Sequence, residues 1–165
     1  MGGCSMSARA EPHCVTLGFF DNPTSLIYGI GNAGRQDDGL GWAFIERLEQ
    51  IHPQPRARLR RTYQLGLEDA DLISRYTRVL FVDATKDPVV ESFTLSRPEP
   101  KLDFSFTSHA LSVPSILATT QQCFEHVPDA YLLAIRGYEW ELQEGLTSSA
   151  QHNLSHSLEF LSTPR

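Results

Sequence analysis

The chain is short of cysteine, methionine and tryptophan: three, two and two in 165 residues. Its cysteines are Cys4, Cys14 and Cys123. The number is odd, and two fall in an N-terminal stretch without clear periodicity. That is no disulfide framework, so a reducing cytoplasm is the expected compartment. No apolar run approaches the ~20 residues that cross a bilayer, and the first residues lack the apolar core of a secretory leader. No membrane association is expected. Met1-Gly2-Gly3-Cys4-Ser5-Met6 has Met where an acylation signal needs Ser or Thr. Basic residues are outnumbered 14 to 20, leaving a net charge of −6. Such a chain gains little by displacing counterions from phosphates, which argues against nucleic acid as a partner. Also missing are H-E-x-x-H, a Ser-His-Asp order and an evident Cys–His pair.

What remains is ordinary globular material, 41% hydrophobic and 21% charged. At this length one core buries roughly 70% of the unfolded surface, so no staple is needed. Residues 1–24 read as a partly ordered extension, and 25–165 as one domain. The pattern begins with a strand, Leu26 to Ile30, closed by the turn residues Gly31-Asn32. Leu40, Phe44, Leu48 and Ile51 recur at helical spacing between Asp38 and Ile51, and Pro53 and Pro55 end that run. A second strand is expected over Arg58 to Leu65. The basic stretch Arg56 to Arg61 within it reads as a solvated face. A short helix follows from Leu67 to Tyr76. Val79 to Val82 is a continuous apolar run suited to a central strand.

Thr85 to Pro100 reads as loop, followed by a short strand near Leu102 to Phe106. Ser112 and Pro114 start a helix carrying Val113, Leu117 and Phe124 on one face, with Cys123 on its apolar side. Ala130 to Ile135 is another buried strand. Thr147 and Ser148 can cap a last helix with Ala150, Leu154, Leu158 and Leu161 inward. His152 and His156 on that helix are at metal-binding spacing, but among Ser, Asn and Gln they read as solvated surface. The alternation implies an α/β fold: a single three-layer αβα domain with a mostly parallel sheet of about five strands, in an order such as 2-1-3-4-5.

Three features could carry chemistry. Gly29-Ile30-Gly31-Asn32-Ala33-Gly34 satisfies the dinucleotide pattern G-x-G-x-x-G. Its helix should start at the third glycine, but Arg35 to Gly39 intervenes with two acids that would repel phosphate. The second feature is Asp37-Asp38. One of the pair is expected to cap the helix that follows, which frees the other. The third is the trio Asp38, Asp83 and His109. Asp83 ends a buried strand, where open α/β sheets bind ligands, and an unpaired carboxylate there is costly without a cation or hydrogen bond. Asp38 and His109 can reach the same edge. Two carboxylates and an imidazole suit a divalent ion.

These residues carry a resemblance. Gly29-Ile30-Gly31-Asn32 with Asp37-Asp38-Gly39-Leu40-Gly41, then Val79 to Ala84, Ser108-His109 and Leu132 to Glu139, resemble the ordered motifs of hydrogenase maturation endopeptidases. That family trims the C-terminus of the [NiFe]-hydrogenase large-subunit precursor. The likeness runs from about Leu26 to Leu161. Thr62 to Asp69 replaces the Asp-Gly-Gly-Thr-like turn of many members and looks like the branch serving NAD(P)-linked bidirectional hydrogenases.

The resemblance implies an aspartic-type endopeptidase with Asp38, Asp83 and His109 as ligands of a nickel ion, the substrate's own, and no organic cofactor. It also implies a large-subunit precursor as partner and a monomeric chain. Two assignments stay open: Asp38 acts as base beside a recognition ion, or the ion itself activates water. A non-catalytic nickel chaperone would use the same trio, and a nucleotide-binding module is the other alternative. A peptidyl-tRNA hydrolase shares the Gly-Asn strand exit, but the charge of −6 argues against it.

Overall fold

A computed structural model describes residues 11–102 and 111–164. Its strands are β1 (Ser25–Ile30), β2 (Arg58–Thr62), β3 (Arg78–Thr85), β4 (Phe93–Ser96) and β5 (Asp129–Arg136). Its helices are α1 (Leu17–Phe20), α2 (Leu40–Ile51), α3 (Glu68–Ser74), α4 (Val113–Phe124) and α5 (Ser148–Ser162). The sheet order is β2-β1-β3-β5-β4. All neighbours run parallel except β4, which pairs antiparallel with β5 at the edge.

Period-two alternation divides the core into two layers. Ile27, Leu80, Val82, Leu133 and Ile135 face α2 and α5. Leu26, Tyr28, Ile30, Val79 and Phe81 face the other side, with Ala70 and Ile73 of α3 and Ile116 and Leu117 of α4. Both faces of the central strands are therefore covered, as an apolar run such as Val79 to Val82 requires. Upstream of β1, the fully buried Val15 and Phe20 join the α2/α5 layer. Phe20 stands edge-on to Tyr131 at 5.7 Å.

Several expectations are corrected. Thr85 to Pro100 is not all loop, because β4 lies within it. Its Phe-Thr-Leu-Ser alternates half-buried and exposed, a four-residue signal easily lost between prolines. The second strand ends at Thr62 rather than Leu65, which instead makes an isolated bridge to Leu111. The strand proposed near Leu102 to Phe106 falls from residue 103 onward outside the described residues. Cys123 is exposed rather than core. The buried arc of α4 runs from Val113 to Thr120, and its last turn extends past the layer it packs on, leaving Phe124 exposed as well. Cys14 is disulfide-bonded, which the cysteine count gave no reason to expect, so that count by itself assigns no compartment. Among the described residues no helix is long and apolar enough to cross a membrane.

Candidate functional site

The carboxyl ends of β1 and β3 lie side by side at the point where chain connections diverge to opposite sides of the sheet, the usual ligand position in open α/β folds. Gly29 pairs with Val82, so Asp83 is level with the exit of β1. The chain turns there at Gly31, whose φ of +140° and close approach to the Asp38 carbonyl oxygen leave no room for a side chain. Gly41 opens α2 directly over the strands. A Cβ there would meet the Ile30 carbonyl and lie 2.5 Å from the Val82 oxygen. The glycines of the G-x-G segment thus serve a tight strand exit and close helix packing. Since α2 begins at Leu40, six residues past Gly34, the phosphate-facing helix N-terminus of a dinucleotide site is absent from this turn.

Neither acid of the Asp37-Asp38 pair caps α2. Its N-cap is Gly39, with no side-chain cap bond. Asp37 is fully buried and accepts four hydrogen bonds from the segment between β5 and α5. These come from the backbone N–H of Tyr138 (2.8 Å), Glu139 (3.2 Å) and Thr147 (2.8 Å), and from the Thr147 hydroxyl (2.8 Å). Gln36 completes the seam: its side chain donates to Glu139 at 3.1 Å and accepts from the Glu141 N–H at 2.9 Å. Charge-assisted bonds of this kind are the strong ones. They hold the loop after β1 by its odd position and leave the next residue, Asp38, turned the other way.

Asp38 lines a cleft of about 270 Å³ together with Asp83, Ile30, Gly31, Tyr63, Leu65, Leu111 and Ser112. One Asp38 oxygen accepts the Asn32 N–H at 3.1 Å. Asp83 is half-buried and accepts the Ala84 N–H at 2.8 Å. Burial lifts its carboxyl from the ordinary 3.8 to about 7, opposed by that hydrogen bond and reinforced by the negative charge of Asp38. Two acids in one cleft, one of them disfavoured as an anion, form a place where a positive charge is stabilised. The wall beside them is tied together by the Leu111 N–H donating to the Leu65 carbonyl at 3.1 Å. Of the sequence-derived trio, Asp38 and Asp83 thus share a cleft, while His109 lies outside the described residues. Among the described residues no group of three His, Cys, Asp or Glu side chains could hold a metal.

The residue that sequence reasoning misread is Asp37. Its partners lie over 100 positions away, and nothing local to Asp37-Asp38 announces them.

The unequal roles of the two acids can be measured. Asp37→Ala would remove the buried acceptor of three backbone donors and lower stability by about 3 kcal/mol. Asp38→Asn keeps an acceptor and should change it by less than about 1 kcal/mol. Urea denaturation distinguishes them, and equal losses would contradict the division of labour. Asp83 supplies a pH test. The folded carboxyl keeps its proton to about 7 while the unfolded chain loses its own near 3.8. Stability therefore falls as pH rises through that interval. Asp83→Asn removes this fall, so its stability relative to wild type should rise between about pH 4 and about pH 7; a constant difference would contradict the assigned environment.

No protein-family model and no curated protein sequence matches the chain. Solved structures do. A [NiFe] hydrogenase maturation protease, HycI, from Thermococcus kodakarensis KOD1 superposes with a TM-score of 0.66 at 20% identity, covering 88% of this chain and 96% of its own. The hydrogenase maturating endopeptidase HybD from E. coli gives a TM-score of 0.67 at 20% identity, over 82% and 87% of the two chains. The solution structure of the endopeptidase HycI from Escherichia coli gives 0.63 at 20%, over 84% and 89%. The chain has the fold of the hydrogenase maturation proteases.

Proposed function

We propose that this chain is an endopeptidase that removes a C-terminal segment from the precursor of a [NiFe]-hydrogenase large subunit. In this reading the chain acts as a monomer. The observation that carries the reading is the pairing of Asp38 and Asp83 in one cleft at the divergence point of the sheet. The fold shared with structures named as hydrogenase maturation proteases supports it.

In this reading the cleft recognises a nickel ion already seated in the substrate. Asp38 and Asp83 offer carboxylate oxygens, and a bound cation stabilises the anionic form of Asp83 that burial first, and the charge of Asp38 second, disfavour. His109 lies two residues before Leu111, a wall residue of the cleft. It is the third donor assigned here. A substrate without its ion meets the mutual repulsion of the two acids uncompensated, so loaded and empty precursors differ in binding free energy. The scissile carbonyl is then held beside Asp38. Asp38 takes a proton from water, the hydroxide oxygen bonds to the carbonyl carbon, the C–N bond breaks, and the proton passes to the leaving amine.

The test is a mass measurement on nickel-loaded and nickel-free precursor mixed with the protein. Loss of a short C-terminal peptide from the loaded form alone is expected. Metal transfer without loss of mass would replace the protease with a chaperone. Asp83→Ala should slow cutting more than about 100-fold while retaining its circular dichroism spectrum. Unchanged cutting would remove Asp83 from the site.

A further inference from the structure

The cleft leaves unused a second set of metal-ligating groups on α5. His152 and His156 are one turn apart, so their side chains rise from the same face. That face is opposite the one through which Leu154, Leu158 and Leu161 pack on the sheet. Their rings are 6.5 Å apart between centroids and inclined by 39°. Two imidazoles at this spacing on a helix can converge on one ion, as in metal-binding helices with paired histidines.

His156 is held by tertiary structure. Its Nδ1 lies 3.0 Å from the hydroxyl oxygen of Ser92, a residue 64 positions away in the segment before β4. Its ring stands edge-on to Phe93 at 5.2 Å and 82°. Phe93 in turn packs against Phe160, one turn further along α5, at 5.2 Å. When Nδ1–H donates to Ser92, the Nε2 lone pair is free. A hydrogen bond to the remote nitrogen is the arrangement that fixes tautomer and ring direction in metal-ligating histidines. His152 is exposed and can rotate to meet a bound ion.

The geometry points to His152 and His156 as a chelating pair for a divalent late transition ion of the nickel, copper or zinc class, separate from the carboxylate cleft. Neutral imidazole nitrogens favour these ions, and the absence of a carboxylate ligand from the pair disfavours magnesium or calcium. Ser92 is a positioning residue for the pair. The inference is independent of the proposed protease activity.

Titration of the untagged full chain with Cu2+ and with Ni2+, by calorimetry and histidine NMR, tests it. Saturable binding that shifts the His152 and His156 ring resonances is expected. His152→Gln and His156→Gln should each weaken that event at least ~10-fold, and Ser92→Ala by roughly the same factor. All three positions lie away from the core, and Asp83→Asn should leave the event unchanged. Binding that persists in both histidine variants, shifts centred on other histidines, or no saturable binding at either ion would overturn it. So would loss of the event in Asp83→Asn, since the ion would then belong to the cleft.

Discussion

A buried carboxylate held by backbone N–H groups organises the working end of this molecule. Asp37 is tolerated in the interior because three backbone N–H groups and one hydroxyl converge on it. The same bonds satisfy donors in the long segment between β5 and α5 that no sheet or helix would satisfy. One side chain therefore fixes two loops at once. The turn after β1 cannot rotate without orphaning those donors, and this fixes Asp38 toward the cleft. Thr147, which supplies two of the four donors, also caps α5 by accepting the Ala150 N–H, so the last helix is registered against the same carboxylate.

The glycines act in concert with this seam. Gly29, Gly31 and Gly41 let the strand exit and the start of α2 approach more closely than any side chain permits. That brings the loop carrying Asp38 down onto the end of β3, where Asp83 waits at the margin of the core. The arrangement costs the protein an easily ionised carboxyl at that position, and in the proposed function a ligand of positive charge would offset that cost.

Much of this architecture could be read from the residues. Apolar periods located β1, β5, α2 and α5 to within a residue or two, because their cores are long and unbroken, while β3 continues three residues past the apolar run that revealed it. The carboxylate Asp83, two residues before the end of β3, stood out because four apolar residues precede it. What escaped reading was non-local. The role of Asp37 depends on partners around Tyr138 and Thr147. The edge strand β4 is four residues among prolines. The packing of Val15 and Phe20 against the α5 layer follows from no period of their own. Cys123 carried the right chemistry for a core position, but its turn of α4 passes beyond the partner surface. Helical phase gives a face, whereas the extent of the neighbour decides how far along that face burial continues.

The claim on which the account stands is that Asp38 and Asp83 grip one positive ion between them. Anomalous X-ray diffraction from crystals soaked in Cd2+ or Ni2+ reads this directly. A single peak at the carboxyl ends of β1 and β3, within coordination distance of a carboxylate oxygen from each residue, is the predicted result. Peaks at only one of the two acids, or a cleft left empty at saturating metal, would contradict it.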